Sequence, residues 1–170
     1  MSKIILNRAV VEDDWQILAL AEGETPENLA LPEGKVIFPL AVWLARRDEI
    51  IASHPEIGVW LDSHEDPAPL APDFTSFELI AVNFPKFTDG RGYSTARLLR
   101  SRYGWDGELR AIGDVLHDQL FYMKRVGFDS FALKAGKDIE GAAAKAFDTF
   151  TECYQTAVDQ KQPLFRRRTA

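Results

Sequence analysis

The sequence predicts an α/β fold: a mainly parallel sheet of repeated βα units, resembling half of an eight-fold β/α barrel, with a small N-terminal β appendage. Three observations lead there. Between about residues 57 and 133, short apolar runs alternate with amphipathic segments of helical spacing, the pattern of βαβ units joined by right-handed crossovers. Ile57-Gly58-Val59-Trp60-Leu61 is apolar throughout, as expected of a strand covered on both faces. Finally, the 170 residues fall short of the ~200 that a complete barrel needs. The sheet must then stay open, or have its edges covered by the N-terminal segment or by a second subunit. A homodimer is the corresponding expectation.

In chain order, Lys3–Leu6 and Trp15–Leu18 read as short strands of a hairpin, with Val10 and Val11 leading into its turn. Residues 11–33 carry seven acids and no Lys or Arg, and Gly23 to Gly34, with Pro26 and Pro32, is loop. Residues 1–38 form the appendage. Pro39 suits a first helical position, and Leu40, Trp43, Leu44, Arg47, Ile50 and Ile51 follow at helical spacing up to Ser53. Three prolines keep Asp62 to Ser76 irregular. Phe77–Phe84 is a strand, Pro85 to Gly92 a loop and Tyr93–Tyr103 a helix. Leu109–Gly113 is a strand and Val115–Val126 a helix, with Leu116, Leu120 and Met123 on one stripe and Gly127 just past its end. Asp129–Leu133 is the last strand. Asp138 can cap a long helix reaching about Asp159, with Ala143, Ala146, Phe147, Phe150, Cys153 and Tyr154 on its apolar side. The tail, residues 160–170 with Arg166-Arg167-Arg168, is expected to be flexible. The whole is one domain.

Composition narrows the function. Hydrophobic and charged fractions of 46% and 27% are those of an ordinary globular chain, which excludes disorder and coiled coil. Twenty Lys+Arg against 26 Asp+Glu leave a net charge of −6, unfavourable for non-specific nucleic-acid binding. No apolar run approaches a membrane span, the first residues lack a signal-peptide core, and a single cysteine, Cys153, can form neither an internal disulfide nor a thiolate cluster. A cytoplasmic protein without an iron–sulfur cluster or structural metal is expected. An organic cofactor is left open.

Ligands of parallel α/β sheets bind beyond the carboxyl ends of the strands. There the sequence offers Asp62, Ser63 and His64, then Asn83, Lys86, Asp89 and Arg91, then Asp114, then Lys134. The segment Asn83-Phe84-Pro85-Lys86-Phe87-Thr88-Asp89-Gly90-Arg91-Gly92-Tyr93-Ser94 is the most informative. Gly90 and Gly92 permit a tight turn into a helix N-terminus, where free N–H groups favour an anion, and Lys86 and Arg91 add charge. The predicted ligand-binding set is Asn83, Lys86, Asp89, Gly90, Arg91, Gly92, Ser94, Arg110 and Asp114, for a small anion. The competing reading is an Asp89-Gly90 turn with Ser94 as a cap. Arg110, inside an apolar strand, needs a carboxylate partner such as Asp114 or Glu108, unless it faces the ligand. Asp114, His117 and Lys134 are the catalytic candidates: His117 beside Asp114 could act as a general base. His54 and His64 have no second histidine at i+4, so a metal site is not expected.

The runs Leu79–Ser94, Ala96–Arg100, Gly107–Leu116, Asp118–Met123 and Gly127–Asp129 resemble a bacterial family of unknown function that carries the label of an oxidoreductase involved in sulfite reduction. Val10–Trp15 and Gly58–Leu61 are similar to it as well. The resemblance implies a place in sulfate assimilation, with sulfite reductase or a related enzyme as partner. Sulfite reduction proper uses an iron–sulfur cluster with several thiolate ligands, and one cysteine cannot supply them. Val126 also stands where members of that family often carry a cysteine. The expected role is therefore an accessory protein binding an anionic sulfur metabolite. The alternatives are a barrel-type acid–base enzyme on an oxyanionic substrate, or a non-catalytic interaction or dimerisation module with Phe84, Phe87 and Tyr93 as anchors.

Overall fold

The computed structural model describes residues 2–168. Its elements are β1 (Ser2–Leu6), β2 (Ala9–Asp13), β3 (Gln16–Ile17), β4 (Val36–Pro39), α1 (Leu40–Ser53), β5 (Ile57–Leu61), β6 (Leu79–Phe84), α2 (Arg91–Ser101), β7 (Glu108–Gly113), α3 (Leu120–Val126), β8 (Ser130–Phe131), α4 (Ile139–Lys145) and α5 (Leu164–Arg167). Short 3-10 stretches span Ala68–Ser76, His117–Gln119 and Ala146–Asp148. All eight strands join one sheet in the order β2-β1-β8-β7-β6-β5-β4-β3. From β3 to β8 neighbours run parallel, while β1 is antiparallel to both β2 and β8.

That order forces curvature. A flat sheet of eight strands places its outer strands about 34 Å apart at ~4.8 Å per step. Here the outer strands are consecutive in the chain: β2 ends at Asp13 and β3 begins at Gln16. Three residues of extended chain reach at most ~10 Å. The sheet therefore curls into a half-barrel, with Asp14 and Trp15 carrying the chain from one edge to the other.

The predicted α/β half-barrel is present, with three corrections. The N-terminal hairpin pairs β1 with Ala9–Asp13, not with Trp15–Leu18. Asn7 and Arg8 both take positive φ (48° and 72°), which a two-residue turn matching the strand twist requires. Gln16-Ile17 instead pairs with β4, an apolar strand between Lys35 and α1 that the sequence reading passed over. The N-terminal segment thus covers both edges of the parallel strands. Second, the expected repeated βα units are not what the sheet is built from. β5 reaches β6 through 3-10 turns containing Pro69 and Pro72, α3 has only seven residues, and β8 has two. Third, the helix capped by Asp138, whose carboxylate accepts from Gly141 N–H at 2.9 Å, stops near Asp148 instead of Asp159. Thr149 and Thr151 are β-branched, and the Thr149 hydroxyl donates back to the Ala146 carbonyl at 3.1 Å, competing with helix continuation. Phe150 and Tyr154 are consequently 63% and 68% exposed, and Cys153 is not in the core. Of the tail, Arg167 bonds Glu152 and the carbonyls of Cys153 and Gln162, and residues 169–170 lie outside the described part.

Alternation along the strands sorts the core. Val36, Phe38, Val59, Leu61, Ile80, Val82, Phe84, Leu109, Ala111 and Phe131 face the helices, where Trp43, Leu99, Leu120 and Met123 meet them. The inner face is smaller: Ile37, Leu79, Ala81 and Ile112, closed by Trp15, Trp60 and Ala132. Helix α1 buries Leu40, Val42, Trp43 and Ile50, but Leu44 and Ile51 turn outward. Among the described residues no helix is long and apolar enough to cross a membrane.

Candidate functional site

Parallel alignment brings the ends of β5, β6, β7 and β8 to one rim, which is tied together internally. Asn83 Nδ2 donates to Asp62 Oδ1 at 3.1 Å, and Ser63 Oγ to Asp89 Oδ2 at 2.8 Å. Asp89 in turn receives Arg91 three times: from Nη2 at 2.7 Å, from Nε at 3.0 Å and from the backbone N–H at 3.1 Å. The Arg91 guanidinium, helped by the Ser63 hydroxyl, holds the Asp89 carboxyl well below the usual carboxylate range, and Asp89 raises Arg91. The Lys86–Ser94 loop is thereby fastened to the end of β5.

This changes the chemistry expected of the two glycines. Gly90 has an ordinary φ of −88°, and the Arg91 amide beyond it is already engaged by Asp89. Gly92 does serve a close approach, but to the protein itself: a Cβ there would sit 2.7 Å from the buried Phe84 ring. Ser94 lies inside α2 on the wall of a shallow hollow shared with Ser63, His64 and Arg91. Lys86 is exposed; its carbonyl accepts from the Asp89 N–H at 2.9 Å, and its ammonium group has no partner among the described residues.

Arg110 is a structural residue. Its side chain is 2% exposed and bonds Asp13 at 2.9 Å, Glu108 at 2.8 Å and the Ser130 hydroxyl at 3.1 Å. Asp114 is not its partner. Gly113 turns at φ 92°, where an added Cβ would lie 2.4 Å from Asn83 Oδ1. The turn directs the Asp114 carboxylate to the Phe87 N–H (3.1 Å) and to Lys134 Nζ (2.9 Å). Lys134 first, and the Phe87 amide next, lower the Asp114 pKa.

Three predicted residues, Asp114, His117 and Lys134, thus lie at the ends of β7 and β8, although no hydrogen bond joins His117 to Asp114 among the described residues. His117 instead lines an open groove of about 540 Å³ against α4, together with Asp118, Lys137, Asp138, Lys145 and Thr149. Lys137 also acts electrostatically on Asp114, which connects the groove to the Asp114–Lys134 pair. Lys137 and Lys145 escaped the sequence reading because they belong to the connection and helix after the last strand. Their spacing around an Asp-capped helix was the available signal. Among the described residues no group of three or more His, Cys, Asp or Glu side chains is placed to hold a metal ion.

Fold and rim define a mixed α/β half-barrel protein with a polar strand-end surface. Residues 58–165 match the model of a family described as "Bacterial protein of unknown function (DUF934)", and the chain belongs to that family. The match includes the rim, α4 and the groove, and leaves β1 to β4 outside it. No curated protein and no solved structure matches the chain.

Proposed function

We propose that the protein binds a small oxyanion of the sulfite or sulfate class in the groove beside the ends of β7 and β8, and that it serves sulfite reduction as an accessory to sulfite reductase or a related assimilatory enzyme. The observation that carries the reading is the convergence of Lys137, Lys145 and His117 on one cavity, next to the Asp114–Lys134 pair. Lys137 and Lys145 offer ammonium donors to an anion and the His117 ring a further polar contact; of the two carboxylates on the same wall, Asp118 and Asp138, the latter is engaged by the Gly141 N–H. The resemblance of Leu79–Ser94 and Gly107–Leu116 to proteins labelled for sulfite reduction supports the metabolic placement. Binding is favoured over acid–base turnover because Asp114, held ionised by Lys134, is a weak proton acceptor at neutral pH.

We place the ligand in this groove and not at the glycine turn because Asp89 already engages Arg91 there. A thermal-shift titration with sulfite, sulfate and phosphate tests this. Ligand at 100 times its Kd adds about 2.7 kcal/mol to stability. At about 2–4 °C per kcal/mol for a chain of this size, that raises Tm by roughly 5–10 °C. The K137A/K145A variant should show a rise smaller by several degrees at the same anion concentration. A rise as large in the variant as in the parent, or none with any of the three anions, refutes the proposal.

A further inference from the structure

On the opposite side of α3 the chain returns across the surface. The Val158 amide donates to the Arg125 carbonyl at 3.0 Å, and Arg125 Nη2 donates to the Gln155 carbonyl. The returning segment roofs a cavity of about 240 Å³, walled by Arg97 of α2, Tyr122, Arg125 and Val126 of α3, and by Gln155–Val158. Arg97, Thr156, Ala157 and Val158 also line an adjoining groove of about 710 Å³ that reaches Lys161.

Two cations line the smaller cavity. The Arg125 side chain is only 9% exposed; its Nε is ion-paired with Asp159 Oδ1 at 3.5 Å, a long contact that makes no hydrogen bond. A buried guanidinium N–H without a hydrogen bond is costly. Arg97, exposed on α2, lines the same cavity, and its side chain has no ion pair or hydrogen bond among the described residues. Tyr122 adds a phenol to the wall. Arg97 and Arg125 present two guanidinium groups suited to the oxygens of one tetrahedral anion. At ~30 Å³ per water, the space holds the anion and several waters.

We infer that this cavity is a second anion site, separate from the groove at the strand ends, and that it takes the oxyanion head of a sulfate or phosphate compound between Arg97 and Arg125. The adjoining groove leaves room for an organic remainder running toward Lys161. Asp159 is the carboxylate that the incoming anion displaces from the neighbourhood of Arg125 Nε.

The test uses the full chain carrying K137A/K145A, so that the groove at the strand ends cannot contribute, with inorganic phosphate and phenyl phosphate as probes. Nitrogen-15 NMR follows the Arg125 Nε–H signal, and calorimetry gives affinity and stoichiometry. Expected are one site per chain, movement of the Arg125 Nε–H resonance on saturation, and at least tenfold weaker binding when Arg97→Ala is added. Arg97 is exposed, so this change leaves the fold intact. Tighter binding of phenyl phosphate than of phosphate assigns the groove to the organic part, whereas equal affinities assign the free ion as the ligand; both support the site. An unmoved Arg125 Nε–H signal, or binding unchanged by R97A, overturns it.

Discussion

Replacing Arg110 by Met tests how the half-barrel is held shut. The arginine lies in the middle of the sheet with its side chain 2% exposed, and it reaches Asp13, 97 residues earlier, at the end of the outermost strand. Asp13 is itself only 9% exposed and Glu108 21%. Methionine fills most of the volume but abandons both carboxylates, one of them deeply buried. Breaking one side of a buried ion pair costs about 3–5 kcal/mol, because the surviving charge loses its partner without regaining water. For 170 residues, at about 2–4 °C per kcal/mol, Tm should fall by roughly 6–20 °C in scanning calorimetry. The triple variant R110M/D13N/E108Q removes the abandoned charges and should recover most of the loss, since apolar or neutral replacements of whole buried networks are often tolerated. A single variant within ~1 kcal/mol of the parent would refute the reasoning, as would a triple variant less stable than R110M.

Other consequences are open to simpler assays. Gly92→Ala drives a methyl to 2.7 Å from the Phe84 ring, which overpacks the core and should cost about 1–3 kcal/mol in denaturant unfolding. Asp114 and Asp89 have carboxyl pKa values lowered in the folded state, by Lys134 and Arg91 respectively, so the stability they contribute is present above about pH 4 and disappears as pH falls through their lowered values. Asp129 acts in the opposite direction: burial raises its pKa, so its contribution is present below about pH 4 and is lost as pH rises through the raised value. In D114N the acid limb of the stability profile should become shallower, and an unchanged limb would speak against the Lys134 pairing. Asp89→Asn weakens the tie from Ser63 through Asp89 to Arg91, so amides of residues 88–92 should exchange faster by mass spectrometry. Equal rates would show that the loop is held by other contacts.

Much of the architecture was legible because burial leaves a pattern. Ile57–Leu61 and Leu109–Gly113 read as strands from their apolar runs, and Gly127, at φ 120°, ended its helix as its position implied. The N-terminal pairing was not legible, because Asn7-Arg8 is a glycine-free turn and because Gln16-Ile17 is too short to carry a period. The edge-to-edge crossing at Asp14 and Trp15 depends on partners distant in sequence, which periodicity does not encode. The early end of α4 was hidden for a related reason: Phe150 and Tyr154 have helical spacing, yet Phe150 meets only the edge of the Phe121 ring and both stay mostly exposed.

Asp62, Ser63, Asn83, Asp89, Asp114 and Lys134 lie at or after strand ends, as their places in the sequence imply, and bond in the pairs Asn83–Asp62, Ser63–Asp89 and Lys134–Asp114. Residue type alone could not show how they would be partnered. Arg91 looked available in the sequence and is taken by Asp89, which stands two residues before it. Arg110 looked like a ligand or a partner of Asp114 or Glu108; it pairs with Glu108 and also with Asp13, which is distant in sequence. Lys137 and Lys145 became visible only when α4 was placed beside His117.

Soaking crystals of the protein in selenate, a sulfate analogue with a strong anomalous signal, addresses the proposed ligand site most directly. An anomalous peak between Lys137 and Lys145, within hydrogen-bonding distance of both ammonium groups and lost in K137A/K145A crystals, is the predicted result. A groove without a peak, while selenate settles instead on the Gly90–Gly92 turn or elsewhere on the surface, would contradict it.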